Sequence, residues 1–119
     1  MSTLKQFDNL AVSRSLPIAH DAERMILGCI ILDNDLLAEA SAKLQPEDFF
    51  QESHRIVFRA MLRLATRREG IDPITMKPEI GVDDMQRIGG EVFLASLFDG
   101  CPRFSSIDSY IQQVRRAAI

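Results

Sequence analysis

Two histidines, two cysteines, an Asp-Asp pair, a Gly-Gly pair and a ladder of arginines are the groups in this 119-residue chain that could do chemistry. Metal and nucleophilic sites need several such groups at set spacings. His54 has Arg55 beside it and no Ser or Cys placed as a nucleophile, so it reads as a structural histidine in the first turn of a helix. Cys29 and Cys101 are too few and too far apart in sequence for a metal or redox motif, and Cys29 reads as core packing. Asp83-Asp84 could hold a cation, but a solvated turn is the plainer reading. Gly89-Gly90 could approach a phosphate, yet no Lys or further Gly follows it, and a helix–helix turn is favoured. G-x-x-x-x-G-K-[ST], H-E-x-x-H and paired C-x-x-C are all absent from the sequence. The expectation is a chain with no catalytic, cofactor-binding or metal residues.

Arg55, Arg59, Arg63 and Arg67 recur every four residues and form the most specific charge feature. Like charges at i, i+4 cost a few tenths of a kcal/mol per pair. An acidic partner, a phosphate, or nearby Asp and Glu of the same chain would offset that. The chain carries 14 basic and 17 acidic residues, a net charge of −3. Domains that bind duplex DNA on their own are usually basic, so tight nucleic-acid binding is not expected.

The ladder lies on a long amphipathic helix, Ser53 to Arg68, predicted to end at Gly70. Its apolar residues Val57, Phe58, Ala60, Met61, Leu62, Leu64 and Ala65 fill an arc of roughly 200°, about twice what a solvated helix needs. It is therefore predicted to be central. Hydrophobic residues make up 46% of the chain, enough for one globular core without disulfides or metal. No run reaches the roughly 18–20 apolar residues of a membrane span, no secretory signal is recognisable, and a reducing cytoplasm fits the cysteine usage.

A first helix is predicted from Asp21 to Leu32. A buried strand is the alternative there, but the acidic start favours helix. Gly28 costs about 1 kcal/mol inside a helix, and close approach by another helix is the expected compensation. Asp33-Asn34-Asp35 forms a turn that supplies N-caps, followed by a helix from Asp35 to Leu44. The turn after Pro46 should place Phe49 and Phe50 on the core. Asp72-Pro73 opens a fourth helix as N-cap and first residue. Pro78 should interrupt it, with a break near Gly81. A turn from Asp83 to Ile88, a helix from Glu91 to Phe98, and a loop from Asp99 to Pro102 follow. The last helix is predicted from Ser106. Its stripe Ile107, Tyr110, Ile111 and Val114 is narrow, which suits a seam between two helices. No Gly, Asn or Pro ends it, and the expectation is a chain that continues in a longer protein. There are no strand or hairpin signals, so the fold class is all-α: an orthogonal bundle of about six or seven helices.

The ordered motifs resemble the N-terminal domain of the bacterial replicative DNA helicase, the DnaB family. HDAERMILGCIILD is similar to the family's first-helix pattern, with Glu23, Leu27, Gly28, Leu32 and Asp33 on the motif. PEDFFQESHRIVFRAM resembles P-E-D-F-[YF]-x-x-x-H-x-x-I-F-x-A-M, matched at Pro46, Glu47, Asp48, Phe49, Phe50, His54, Phe58, Ala60 and Met61. Ile71-Asp72 with Thr75, and Gly89-Gly90 with Phe93-Leu94, keep two further motifs. Pro102, Tyr110, Val114 and Arg115 keep the spacing of the last segment. Met76-Lys77-Pro78 departs from the family, which has an uninterrupted helix there.

The resemblance implies a flexible arm over residues 1–16, a globular domain over 17–104, and the start of a subunit-pairing helical hairpin over 105–119. It implies a non-catalytic assembly domain that forms a collar on a hexameric helicase and recruits primase, with the helicase loader as a further partner. ATP and Mg would belong only to the parent's ATPase domain, outside this chain. Pairing residues would be Ile107, Tyr110, Ile111 and Val114. Partner-surface residues would be Phe93, Glu23, Arg55, Arg59, Arg63 and Arg67. The competing readings are a small helical DNA-binding module using the Arg ladder, and a primase-side or loader-side helical adaptor.

Overall fold

Two helices lying against each other collect everything else. In the computed structural model, which describes residues 19–99, 101 and 107–118, they are α1 (Ala19–Leu32) and α3 (Glu52–Thr66). Around them lie α2 (Leu36–Lys43), a 3-10 turn (Pro46–Asp48), α4 (Pro73–Ile80), α5 (Val82–Ile88), α6 (Gly90–Phe98) and α7 (Asp108–Ala117). The described residues thus form an all-helical bundle, as the helical periodicity predicts, and contain no strand. The expected arm over 1–16 and helix start at Ser106 lie outside the described residues.

The central role predicted for α3 is shared. α3 packs on α1, α2, the 3-10 turn, α4 and α5, whereas α1 packs on α2, α3, α6 and α7. Both have apolar side chains on more than one flank: Ile26, Leu27, Cys29 and Ile30 on α1, and Ile56, Val57, Phe58, Ala60, Met61 and Leu64 on α3, are all buried. Gly28 is the hinge of the α1–α6 contact. A Cβ there would stand 2.1 Å from the backbone oxygen of Leu97, so only glycine lets α6 come this close. The close approach expected at Gly28 is what the packing shows.

Local signals explain most boundaries. Asp72 caps α4 through Oδ1, which accepts from the N–H of Ile74 and of Thr75 at 2.8 and 2.9 Å, while Thr75 Oγ1 accepts from the N–H of Asp72. Pro78, expected to interrupt α4, does not: the helix runs on to Ile80 and breaks at Gly81. A proline here removes one donor to the carbonyl four residues back, that of Ile74. Ile74 is 83% exposed, so water can reach that side of the helix. α3 does not end at Gly70. Its left-handed residue is Arg68, at φ 60. The N–H of Arg68 bonds to Ala65 O and that of Glu69 to Leu64 O, the paired closure that usually uses glycine. Phe49 is fully buried, as expected, but Phe50 is 52% exposed, so only one of the pair joins the core. Asp35 makes no side-chain cap. Instead Asp33 Oδ1 accepts from the N–H of Asp35 at 3.1 Å.

The stripe on α7 is turned inward. Ile107, Ile111 and Val114 are fully buried, and α7 lies on α1 and α2. The salt bridge from Lys43 to Asp108, 2.7 Å, ties the start of α7 to α2. Lys43 holds the Asp108 carboxyl below the usual carboxylate range. Ile107, Ile111 and Val114 are therefore core residues of this domain, with no surface left for a second subunit. Tyr110 is half-buried against the same core.

Candidate protein-interaction surface

The histidines and the arginines singled out for chemistry fall into two sets, one on each side of α3. Inward, His54 is 1% exposed and its Nδ1 donates to Glu23 Oε1 at 2.6 Å. Glu23, also 1% exposed, is one turn into α1. Its carboxylate accepts further from the N–H of Phe50 at 2.6 Å and of Gln51 at 3.3 Å. Gln51 is the N-cap of α3 and makes no side-chain cap of its own. Glu23 thus pins the chain just ahead of α3 from another helix, at the end where the helix dipole favours negative charge. The site is a structural polar cluster whose carboxylate is fully engaged, and Glu23 presents no surface to a partner. The His54 ring also packs between His20, at 5.2 Å, and Phe93, at 6.0 Å between ring centres. Phe93 is half-buried in that stack.

Outward, the Arg ladder finds its counter-charges within the chain. Arg59 pairs with Glu47 at 3.2 Å, Arg63 with Glu79 at 2.6 Å, and Arg67 with Glu69 at 2.7 Å and with Glu79. Arg55 is different: its Nη1 donates to the backbone oxygen of Phe49 at 3.0 Å. Hydrogen bonds from Arg67 and then Arg63 pull the Glu79 carboxyl down to about 2, and those from Glu79 and Glu69 raise Arg67 further. Of the compensations open at the sequence level, the intramolecular one is realised.

Cys29 and Cys101, too distant in sequence to suggest a motif, are brought together with their sulfurs 3.5 Å apart. No group of three or more His, Cys, Asp or Glu among the described residues has the geometry of a metal site. None of the described helices is long and apolar enough to cross a membrane.

What the domain offers outward are large apolar side chains on α4, α5 and α6. Ile74 on α4, Val82 on α5 and Val92 on α6 are 83%, 84% and 82% exposed. A cleft of about 410 Å³ lies between α4 and α6, lined by Pro73, Ile74, Leu94 and Phe98. A second of about 410 Å³, lined by Pro78, Gly81, Val82 and Met85, lies at the α4–α5 junction. Lys77 borders both and is bridged to Glu91 at 3.2 Å. Apolar clefts beside a charged pair have the composition of a surface that can seat apolar side chains of a partner. Sequence reasoning missed these side chains. Their signal was present in Ile74, Val82 and Val92 standing outside every apolar stripe.

Residues 15–116 match the family model described as the DnaB-like helicase N terminal domain. The replicative DNA helicase DnaB of Geobacillus stearothermophilus is 35% identical over 104 residues, which is 87% of this chain and 23% of that protein. The replicative DNA helicase DnaC of Bacillus subtilis is 33% identical over 100 residues, 83% of this chain and 22% of that protein. The chain thus spans under a quarter of the length of these relatives. The crystal structure of the N-terminal domain of DnaB helicase from Mycobacterium tuberculosis superposes with a TM-score of 0.76 at 32% identity, over 82% of this chain and 69% of that one. The same domain from Helicobacter pylori, studied with its interactions with primase, superposes at 0.66 over 99% of this chain and 85% of that one; at 22% identity it speaks for the fold alone.

Proposed function

We propose the function of this chain from one premise: it belongs to the family of DnaB-like helicase N-terminal domains. It serves as a non-catalytic assembly and protein-interaction domain of a replicative DNA helicase. Its partners are primase, further copies of itself in a collar, and the helicase loader. ATP hydrolysis and strand separation belong to other parts of such a helicase, since this sequence holds no phosphate-cradling loop.

The observation that carries this reading is the pair of apolar clefts along α4, with Ile74 at one and Val82 at the other, both outward. A partner helix laid with its apolar side into such a cleft is a recurring recognition mode. Primase is the chosen partner because the Helicobacter pylori domain was studied with it. Because the α7 stripe is buried, self-association must use other surfaces. The DNA-module alternative is disfavoured by the ladder, whose guanidinium groups already hold Glu47, Glu69 and Glu79 in place of phosphates.

The test is calorimetric titration of the chain, and of Ile74→Asp and Val82→Asp, with the C-terminal domain of the cognate primase. Both substitutions fall on exposed positions, and circular dichroism should show an unchanged fold. Saturable binding is expected, weakened about tenfold or more by each change, which is about 1.4 kcal/mol. Binding that ignores both substitutions would remove the clefts from the proposal. No binding by the unaltered chain would remove primase.

A further inference from the structure

We propose that Cys29 and Cys101 form an oxidation site, a dithiol that hydrogen peroxide closes to an intramolecular disulfide. The inference stands on the packing of α1 and does not depend on the function proposed above. Cys29 follows Gly28 on α1 and is 2% exposed. Cys101, half-buried, lies in the segment after α6. Their sulfurs are 3.5 Å apart, in contact. A disulfide bond is about 2.05 Å long, so side-chain rotation must bring them roughly 1.5 Å closer. The room for Cys101 comes from Gly28: a Cβ there would stand 3.3 Å from the Cys101 sulfur. The third neighbour is also apolar, Met25, whose sulfur is 3.8 Å from that of Cys101.

The two thiols have different parts. Burial, and then the Cys101 thiol beside it, push the Cys29 thiol up to about 12. Cys29 is thus the poorer nucleophile, and Cys101, the more exposed, meets peroxide first. The Cys101 sulfur attacks one peroxide oxygen and the O–O bond breaks. Cys101 becomes a sulfenic acid, and the other oxygen leaves as water once it takes up a proton. The Cys29 sulfur then displaces that hydroxyl, the S–S bond forms, and a second water leaves with the thiol proton. Two thiols lose two electrons and one peroxide gains them. A dithiol reductant reverses the change. The second step uses the Cys29 thiolate, so it is slow at neutral pH and quickens about tenfold per pH unit. The product joins residues 72 apart in sequence and fastens the segment after α6 onto α1. Cross-linking so long a loop restricts the unfolded chain, so the oxidised domain resists heat better.

The test treats the reduced chain with hydrogen peroxide at neutral and at mildly alkaline pH. Intact mass, peptide mapping without reductant, and thermal melting are then recorded. Expected are a mass lowered by two hydrogens, a Cys29–Cys101 cross-linked peptide, a raised melting temperature, faster closure at the higher pH, and full reversal by dithiothreitol. Cys101→Ser, a change at the less buried position, should abolish the cross-link and the rise in melting temperature together. Cys29→Ala should leave Cys101 to gain oxygen atoms instead. If the unaltered chain gains oxygen without a cross-link, pairs only between molecules, or stays reduced under peroxide, the site does not exist. A cross-link that lowers the melting temperature would show that the fold must distort to close it, and would equally overturn the proposal.

Discussion

The inner and outer sides of α3 carry opposite solutions to the same problem, that of holding charged and polar groups on one helix. On the inner side, Glu23 takes the His54 ring and two backbone N–H groups in a setting where donor and acceptor are each 1% exposed. On the outer side, Arg59, Arg63 and Arg67 meet their carboxylates with side chains 45–49% exposed. Water reaches every arginine of the outer set, although Glu79 itself is only 14% exposed, while nothing replaces an inner partner. Exposed pairs contribute about 0–1 kcal/mol because water and salt screen them. Breaking a buried one strands its partner. The inner cluster therefore carries more of the stability than any one pair of the ladder.

The sharpest way to break that contrast is Glu23→Ala. It leaves His54 Nδ1 and the N–H groups of Phe50 and Gln51 without their acceptor. A loss of about 3–5 kcal/mol is expected, read as a lowered urea midpoint with two-state unfolding retained. A loss no larger than that of an exposed pair would mean water enters the site, and the distinction between the two sides would fail. Arg55 tests the ground between them. It belongs to the ladder by spacing, yet donates to the backbone oxygen of Phe49 and is half-buried. Arg55→Met keeps the apolar stem and removes the donor, and about 1.5 kcal/mol should be lost. A neutral result would place Arg55 with the other arginines.

Why one side of α3 was legible and the other was not follows from range. The apolar arc from Val57 to Leu64, the Asp72-Pro73 cap and the compensation at Gly28 are local patterns, or imply a generic neighbour, and sequence spacing carries them. The ladder is as visible as the arc, but its partners are not: Glu79 stands 16 residues beyond Arg63 and meets it only because α4 folds back along α3. Glu23 lies 31 residues before His54. It could be marked as a motif position but not told apart from a surface carboxylate. The α7 stripe shows the reverse limit. Periodicity says which side of a helix is apolar and not what covers it, so Ile107, Ile111 and Val114 could be read as a seam when they pack on their own α1 and α2. Pro78 and Arg68 mislead for a further reason. Residue propensities of about 1–3 kcal/mol are offset at both positions by what the sequence does not display: paired backbone bonds close α3 around Arg68, and the carbonyl that Pro78 leaves without a donor belongs to exposed Ile74.

The smallest expected effect concerns Glu79, and it separates screening from pairing on the outer side. Arg67 and Arg63 hold its carboxyl near 2 in the folded chain, against an ordinary value of 4.5. A carboxyl whose folded value is depressed adds stability above its unfolded value and loses it as pH falls through the folded one. Glu79→Gln keeps the shape and removes the charge. The difference in unfolding midpoint between the two chains should thus be present at neutral pH, shrink as pH falls below about 4.5, and vanish near 2. Added salt at neutral pH should shrink it too, since both arginines are half-exposed. At neutral pH the difference should stay well below the loss from Glu23→Ala. A difference that survives at low pH would mean that the Glu79 side chain contributes by packing between α3 and α4 and not by charge. A neutral-pH difference as large as that from Glu23→Ala would mean that the ladder is shielded from water after all, and the two sides of α3 would then obey one rule.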